Sequence, residues 1–78
     1  MARVRLFASA REAAGIGHDT IEGATVRQVL EAACARYGRD FASLLESCQV
    51  WCNGEVVEPS KPVGEDDEIA ILPPVSGG

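Results

Sequence analysis

The stretch Thr25-Val26-Arg27-Gln28-Val29-Leu30-Glu31-Ala32-Ala33-Cys34-Ala35-Arg36-Tyr37-Gly38 reads as one amphipathic helix. Val26, Val29, Leu30, Ala33 and Tyr37 recur at helical spacing with Cys34 adjoining, so a single stripe is apolar. Thr25 and Gln28 stand at capping-box spacing, the hydroxyl placed to satisfy one free N–H of the first turn and the amide another. Gly38 is placed to end the helix as a left-handed cap. A helix with one apolar face must bury it, and the flanking segments offer strands to bury it against.

On the N-terminal side, Arg3 to Ala8 alternates, with Val4, Leu6 and Ala8 to one side and Arg3, Arg5 and Phe7 to the other. Period two marks a half-buried strand. Ser9 to Ala14 fits one or two helical turns, with Ser9 as N-cap, Glu12 three residues on and Gly15 closing it. His18 to Glu22 reads as a second short strand around Ile21, pairing back on the first. On the C-terminal side, Phe41 to Leu45 is a short helical turn carrying Phe41, Leu44 and Leu45 inward. Gln49 to Cys52 is a third strand, with Val50 and Cys52 on one face and Trp51 on the other. Asn53-Gly54 is a hairpin signal, since both residues tolerate positive φ. Glu55 to Val57 returns, Pro59 and Pro62 end that strand, and Glu68 to Leu72 is the last strand. There Ile69 and Ile71 face one side, Ala70 and Leu72 the other.

The order is strand, strand, helix, strand, short strand, strand, without repeats or linkers. It predicts an α+β fold, a mixed sheet with one main helix across one face. Parallel first and last strands side by side at the centre make it the β-grasp, ubiquitin-like topology. Residues 1–72 form the domain and residues 73–78 an extended tail.

Composition narrows the function. The 78 residues make one domain near the lower size limit for independent folding. A net charge of −5 with one lysine, Lys61, argues against nucleic acid or an anionic membrane as partner, because both need clustered positive charge. No run approaches the ~18 apolar residues of a membrane span, and the N-terminus carries no signal-peptide pattern, so a cytoplasmic protein is expected. The run Glu65-Asp66-Asp67-Glu68 reads as a solvated turn, with steering toward a basic partner as a second role. Three cysteines, Cys34, Cys48 and Cys52, are an odd count and are expected to be reduced. On a strand, Cys48 and Cys52 would lie about 13 Å apart, beyond a disulfide or one zinc ion. His18 has no triad partner nearby. No metal site is expected.

The candidate chemistry lies at the end of the chain, Leu72-Pro73-Pro74-Val75-Ser76-Gly77-Gly78. Two prolines make a stiff extended stem. Gly77 and Gly78 make a backbone thin enough to thread a narrow channel, with an unhindered terminal carboxylate. Six residues at about 3.3 Å each set that carboxylate up to roughly 20 Å from the body. This geometry delivers a terminal acyl group into another protein's active site. At the base of the stem, Phe7, Trp51 and Leu72 all point to the uncovered face of the sheet. A contiguous aromatic patch on so small a domain reads as a partner interface.

Four segments together resemble the ubiquitin-like sulfur carriers that serve as small subunits of molybdopterin synthase. They are Val4-Arg5-Leu6-Phe7-Ala8 with Arg11-Glu12 and Gly15; Thr25-Val26 with Leu30; Val50-Trp51-Cys52-Asn53-Gly54-Glu55-Val56; and Asp67-Glu68-Ile69-Ala70 through Pro73-Pro74-Val75-Ser76-Gly77-Gly78. One position departs from the pattern: Asp66 stands where the family usually has glycine, which leaves the local turn geometry open.

The resemblance implies a cycle at Gly78. An E1-like adenylyltransferase uses ATP to adenylate its carboxylate, and sulfur from a donor protein replaces AMP to give a thiocarboxylate. The tail then enters the large subunit of molybdopterin synthase, within an expected heterotetramer, and sulfur passes to cyclic pyranopterin monophosphate. The chain would bind no cofactor itself and would be a carrier, with catalysis in its partners. Sulfur carriers for thiazole or cysteine synthesis, ubiquitin-like protein modifiers and plain binding modules remain the alternatives.

Overall fold

The computed structural model describes residues 1–74. The chain runs β1 (Ala2–Leu6), α1 (Ala8–Ala14), β2 (His18–Ile21), α2 (Val26–Tyr37), α3 (Arg39–Leu45), β3 (Gln49–Cys52), β4 (Glu55–Val56) and β5 (Glu68–Leu72). The strands form one sheet in the order β2-β1-β5-β3-β4, with β1 and β5 parallel and the other pairs antiparallel. The alternation in the strands decides which face is buried: Ala2, Val4 and Leu6 of β1 and Ile69 and Ile71 of β5 turn inward. They meet Val26, Val29 and Ala33 of α2 in one cluster, which Ile21, Ala10 and Phe41 complete. Phe41 comes from α3, as the expected helical turn predicts, and α1 adds Ala10, so three helices cover this face of the sheet.

α2 starts where its capping residues predict. Thr25 Oγ1 accepts from the Gln28 N–H at 3.3 Å, and Gln28 Oε1 accepts from the Ala24 N–H at 2.8 Å. The return contact thus reaches one residue beyond the expected amide. The free N–H groups of Val26 and Arg27 donate to the carbonyls of Lys61 and Pro59, so the loop after β4 closes the helix start.

Several boundaries differ from expectation, among them the start of α3 at Arg39 rather than Phe41. β1 stops at Leu6, and Phe7 is the extended N-cap of α1, its carbonyl accepting from the Ala10 and Arg11 amides. Ser9 therefore lies inside the helix, no capping box forms with Glu12, and Ala8 is exposed instead of lining the core. Gly38 takes φ 100° and ψ −175°, not the left-handed helical conformation, because it ends α2 and begins α3 at once. That combination lies in a region essentially restricted to glycine. β2 ends at Ile21 and β4 at Val56, each one residue earlier than the pattern suggests. The Asn53-Gly54 turn is as expected, with φ 52° and 84°.

The turn carrying Asp66 is organised by its neighbour. Asp67 Oδ2 accepts from the Gly64 N–H at 2.8 Å, and Asp67 Oδ1 accepts from Asn53 Nδ2 at 2.8 Å. Asn53 Oδ1 in turn accepts from the Glu68 N–H at 2.9 Å. These bonds hold the Asp67 carboxyl below its usual pKa, the Asn53 contact most strongly. Asp66 keeps negative φ, so this turn does not require glycine there.

A second polar knot joins β2 to the end of α2. Asp19 accepts from Tyr37 Oη at 2.7 Å and from Arg36 at 2.9 Å. These bonds, Tyr37 first, depress the Asp19 carboxyl. Burial and then Asp19 push the Tyr37 phenol up to about 12. A carboxyl with a lowered folded-state pKa contributes stability above its unfolded value near 3.9, and loses it as pH falls through the folded value. Tyr37→Phe should cost about 1 kcal/mol at neutral pH, lowering Tm by about 4–8 °C. The Asp19 carboxyl should move back toward its ordinary value, read by NMR titration. An unchanged Asp19 titration would show that the phenol does not hold it.

Candidate functional site

The face of the sheet away from the helices is set by register. Trp51 of β3 pairs with Ala70 of β5, which pairs with Arg5 of β1, which pairs with His18 of β2, so these four side chains form one row. In the next row Leu72 lies opposite Gln49, and the Phe7 amide, donating to the Ile71 carbonyl at 3.3 Å, brings Phe7 beside Leu72. Phe7, Trp51 and Leu72 thus share one face, as the alternation predicts. None belongs to the core cluster. Trp51 and Leu72 are half-buried, and Phe7 is 38% exposed.

Two features of this face escape a strand-by-strand reading. Val56 pairs with Trp51 across the hairpin, is 70% exposed and extends the apolar row to the sheet edge. The two-residue Asn53-Gly54 turn was the available signal, since it fixes this register. The Arg5 guanidinium lies 5.4 Å from the centre of the Phe7 ring, within cation–π range. The Trp51 indole N–H donates to Gln49 Oε1 at 3.1 Å, which leaves its ring free for apolar contact.

β5 supplies the exit. It runs up the sheet centre between β1 and β3, and Leu72 leads straight into Pro73, half-buried, and Pro74, exposed. Of the predicted tail residues, Val75, Ser76, Gly77 and Gly78 lie outside the described residues. What the structure places is the stem's root, with Phe7 on one side and Trp51 on the other.

The side chains that carry chemistry elsewhere are engaged. Burial raises the Cys34, Cys48 and Cys52 thiols, which disfavours the thiolate a nucleophile needs. Cys48 Sγ donates to the Leu44 carbonyl at 3.3 Å, and Cys52 is 1% exposed. Among the described residues no three His, Cys, Asp or Glu side chains are grouped as a metal ion needs. No helix there is long and apolar enough to cross a membrane.

Known proteins share this architecture. The chain is 35% identical to the molybdopterin synthase sulfur carrier subunit of Chlamydomonas reinhardtii, over 97% of this chain and 96% of that one. It is 39% identical to the subunit of the same name from Arabidopsis thaliana, over 97% and 81%. Among solved structures, it matches a putative molybdopterin converting factor subunit 1 of Pyrococcus furiosus with a TM-score of 0.84, at 26% identity over 95% and 97% of the two chains. Small archaeal modifier protein 1 of Methanosarcina acetivorans matches with 0.81, at 33% identity over 99% and 95%. A chain in the complex of subunits 1 and 2 of the Helicobacter pylori molybdopterin-converting factor shares the fold, with 0.73 at 24% identity over 99% and 97%. The ThiS family model matches residues 4–78, and the chain belongs to the ThiS family.

Proposed function

We propose that this chain is a sulfur carrier of molybdenum cofactor biosynthesis, acting as the small subunit of molybdopterin synthase with Gly78 as the loaded residue. The observation that carries the reading is β5, which leaves the sheet centre through Leu72 into Pro73-Pro74 beside Phe7 and Trp51. A partner held on that face receives the remainder of the chain beyond the stem, Val75-Ser76-Gly77-Gly78.

The chemistry explains these residue types. A carboxylate resists nucleophiles, so an E1-like adenylyltransferase first joins Gly78 to AMP from ATP, releasing pyrophosphate. Sulfur from a donor protein displaces AMP and leaves a thiocarboxylate. The large subunit takes in the tail and passes its one sulfur to cyclic pyranopterin monophosphate, water returning Gly78 to a carboxylate, and a second loaded tail supplies the second sulfur of the dithiolene. Glycine at the last two positions leaves both faces of the carbonyl open to each nucleophile in turn. The carrier contributes reach and docking, and its partners contribute catalysis.

The intact mass of the chain recovered from its own cells tests this reading. A fraction heavier by the exchange of one oxygen for sulfur is expected, located at Gly78 by fragmentation. The similarity to an archaeal modifier favours a second reading, in which Gly78 is joined to lysines of target proteins. A ladder of conjugates without the sulfur-bearing species would select it.

The apolar face yields a separate prediction. Trp51→Ala should weaken binding to the large subunit by about 2 kcal/mol, roughly thirtyfold in Kd. Because Trp51 lies outside the core, folding stability should change by less than about 1 kcal/mol. A large fall in Tm with unchanged binding would reassign Trp51 to the fold.

A further inference from the structure

The acidic net charge conceals a local reversal. Arg3 and Arg5 project from the open face of β1 about 7 Å apart, and the groove beside them is also lined by His18, Thr20 and two carboxylates, Asp19 and Glu68. A second groove continues from Arg5 and His18 past Phe7 to Arg11 and Gly17. Gly17 lets the Arg11 side chain lie close, since a Cβ there would come within 3.2 Å of its Nε. Three of the seven Lys and Arg residues therefore line one continuous path, which begins at Phe7 beside the root of the tail.

Among the described residues, neither groove carboxylate pairs with these arginines, and the second groove, past Phe7 to Arg11, has no carboxylate in its lining. The ion pair found among the described residues, Arg36 with Asp19, ties up the one carboxylate that β2 contributes. Arg3 donates to the Asp66 carbonyl, a neutral acceptor, and Arg5 rests on the Phe7 ring. Glu68, paired in register with Arg3, and Glu12, next to Arg11 on α1, are the acids nearest in the strand register and sequence, and neither forms an ion pair with them. A net charge of −5 opposes a polyanion such as nucleic acid or an anionic membrane. A protein surface with carboxylates bordering an apolar socket fits both halves of the face.

We propose that Arg3, Arg5 and Arg11 form an ionic docking strip that seats against carboxylates of the large synthase subunit, alongside the apolar contact made by Phe7, Trp51 and Leu72. This rests on the sulfur-carrier reading, which names the partner. The strip sets register: with Arg5 held against Phe7, pairing of the guanidinium groups fixes how β5, and hence the tail, points into the partner. Its charge also steers the encounter, so its contribution depends on ionic strength.

The test measures binding of the full chain to the large subunit of the same organism by calorimetry, at low and at high salt. Arg5→Glu with Arg11→Glu should weaken binding by at least roughly tenfold at low salt and flatten its salt dependence. Arg27→Glu with Arg39→Glu, an equal charge change on α2 and α3, should leave affinity within about twofold. Trp51→Ala should weaken binding alike at both salts. If the glutamate pair fails to fold, Arg5→Gln with Arg11→Gln gives the same comparison with a smaller loss. Equal weakening by both charge-reversed pairs would reduce the strip to net charge and overturn the proposal. Undiminished binding by the Arg5 and Arg11 variants would also overturn it, and so would loss confined to the adenylyltransferase. A wild-type chain that binds no large subunit would instead sink the carrier reading beneath it.

Discussion

Deleting Gly77 and Gly78 is expected to abolish sulfur transfer while leaving the melting temperature unchanged. The sheet, the core cluster and the hydrogen bonds around Asp19 and Asp67 all lie within residues 1–74, and the last core side chain is Ile71. Stability should therefore be indifferent to the last two residues. Function should not be, because the deletion shortens the reach by about 7 Å. It also moves the terminal carboxylate onto Ser76, whose side chain crowds the carbonyl. Reaction within a bound complex depends on near-contact geometry, and a misplacement of about 1 Å can cost on the order of a hundredfold. A shift several times larger leaves no productive complex, so the loss should be complete. Intact mass should show no sulfur-bearing species, and reconstituted synthase should make no product above background. Gly78→Ala retains the reach and adds one methyl beside the reacting carbonyl, so it should be impaired without being dead. Product formation by the two-residue deletion would end the terminal-carrier reading, because a docking module with no terminal chemistry is the one alternative that tolerates it.

How far the fold and the site are legible in the sequence depends on how local each feature is. Thr25 with Gln28, the alternation through β3 and β5, and Asn53-Gly54 are decided within a few residues, and they appear where predicted. The sheet order follows the expectation drawn from the element order, and the opposed faces of Val4 and Arg5 and of Ile71 and Leu72 then select the register that turns Val4, Leu6, Ile69 and Ile71 to the core. The failures are tertiary. Phe7 continues the alternation of β1 but is taken over by α1, whose first amides its carbonyl accepts. Gly38 is recognisable as a cap, but its extended ψ depends on where α3 must go. Asp19 lies 17 and 18 residues from Arg36 and Tyr37, and nothing local signals their contact. The same holds for the arginine path: alternation alone puts Arg3 and Arg5 on the open face, but Arg11 joins them only because α1 turns back along Gly17. The aromatic patch is readable because its three residues sit on or beside strands whose register is itself readable.

Phe41→Ala should be the most destabilising of these single substitutions. Phe41 is the largest fully buried side chain, and its ring meets Tyr37 edge-on at 5.1 Å and 74°. It anchors α3, which packs on both α1 and α2 and carries the chain from Gly38 toward β3. Truncating such a ring costs about 3–5 kcal/mol, the cavity adding to the lost burial. A chain of this length has roughly 4–12 kcal/mol in total, so a large share of its stability goes. Tm should fall by roughly 12–40 °C, at about 4–8 °C per kcal/mol. Phe41→Leu keeps most of the volume and should cost well under half as much, which separates the cavity from any loss specific to the ring. The contrast with Trp51 is the sharper test. Both residues are large aromatics in a small domain, but one fills the space between sheet and helices and the other lies on the opposite side of the sheet. Urea unfolding of both alanine variants, set beside their binding to the large subunit, should place Phe41 on the stability axis and Trp51 on the binding axis. If Phe41→Ala lowered Tm by no more than Trp51→Ala does, the assignment of the two faces of the sheet would be reversed.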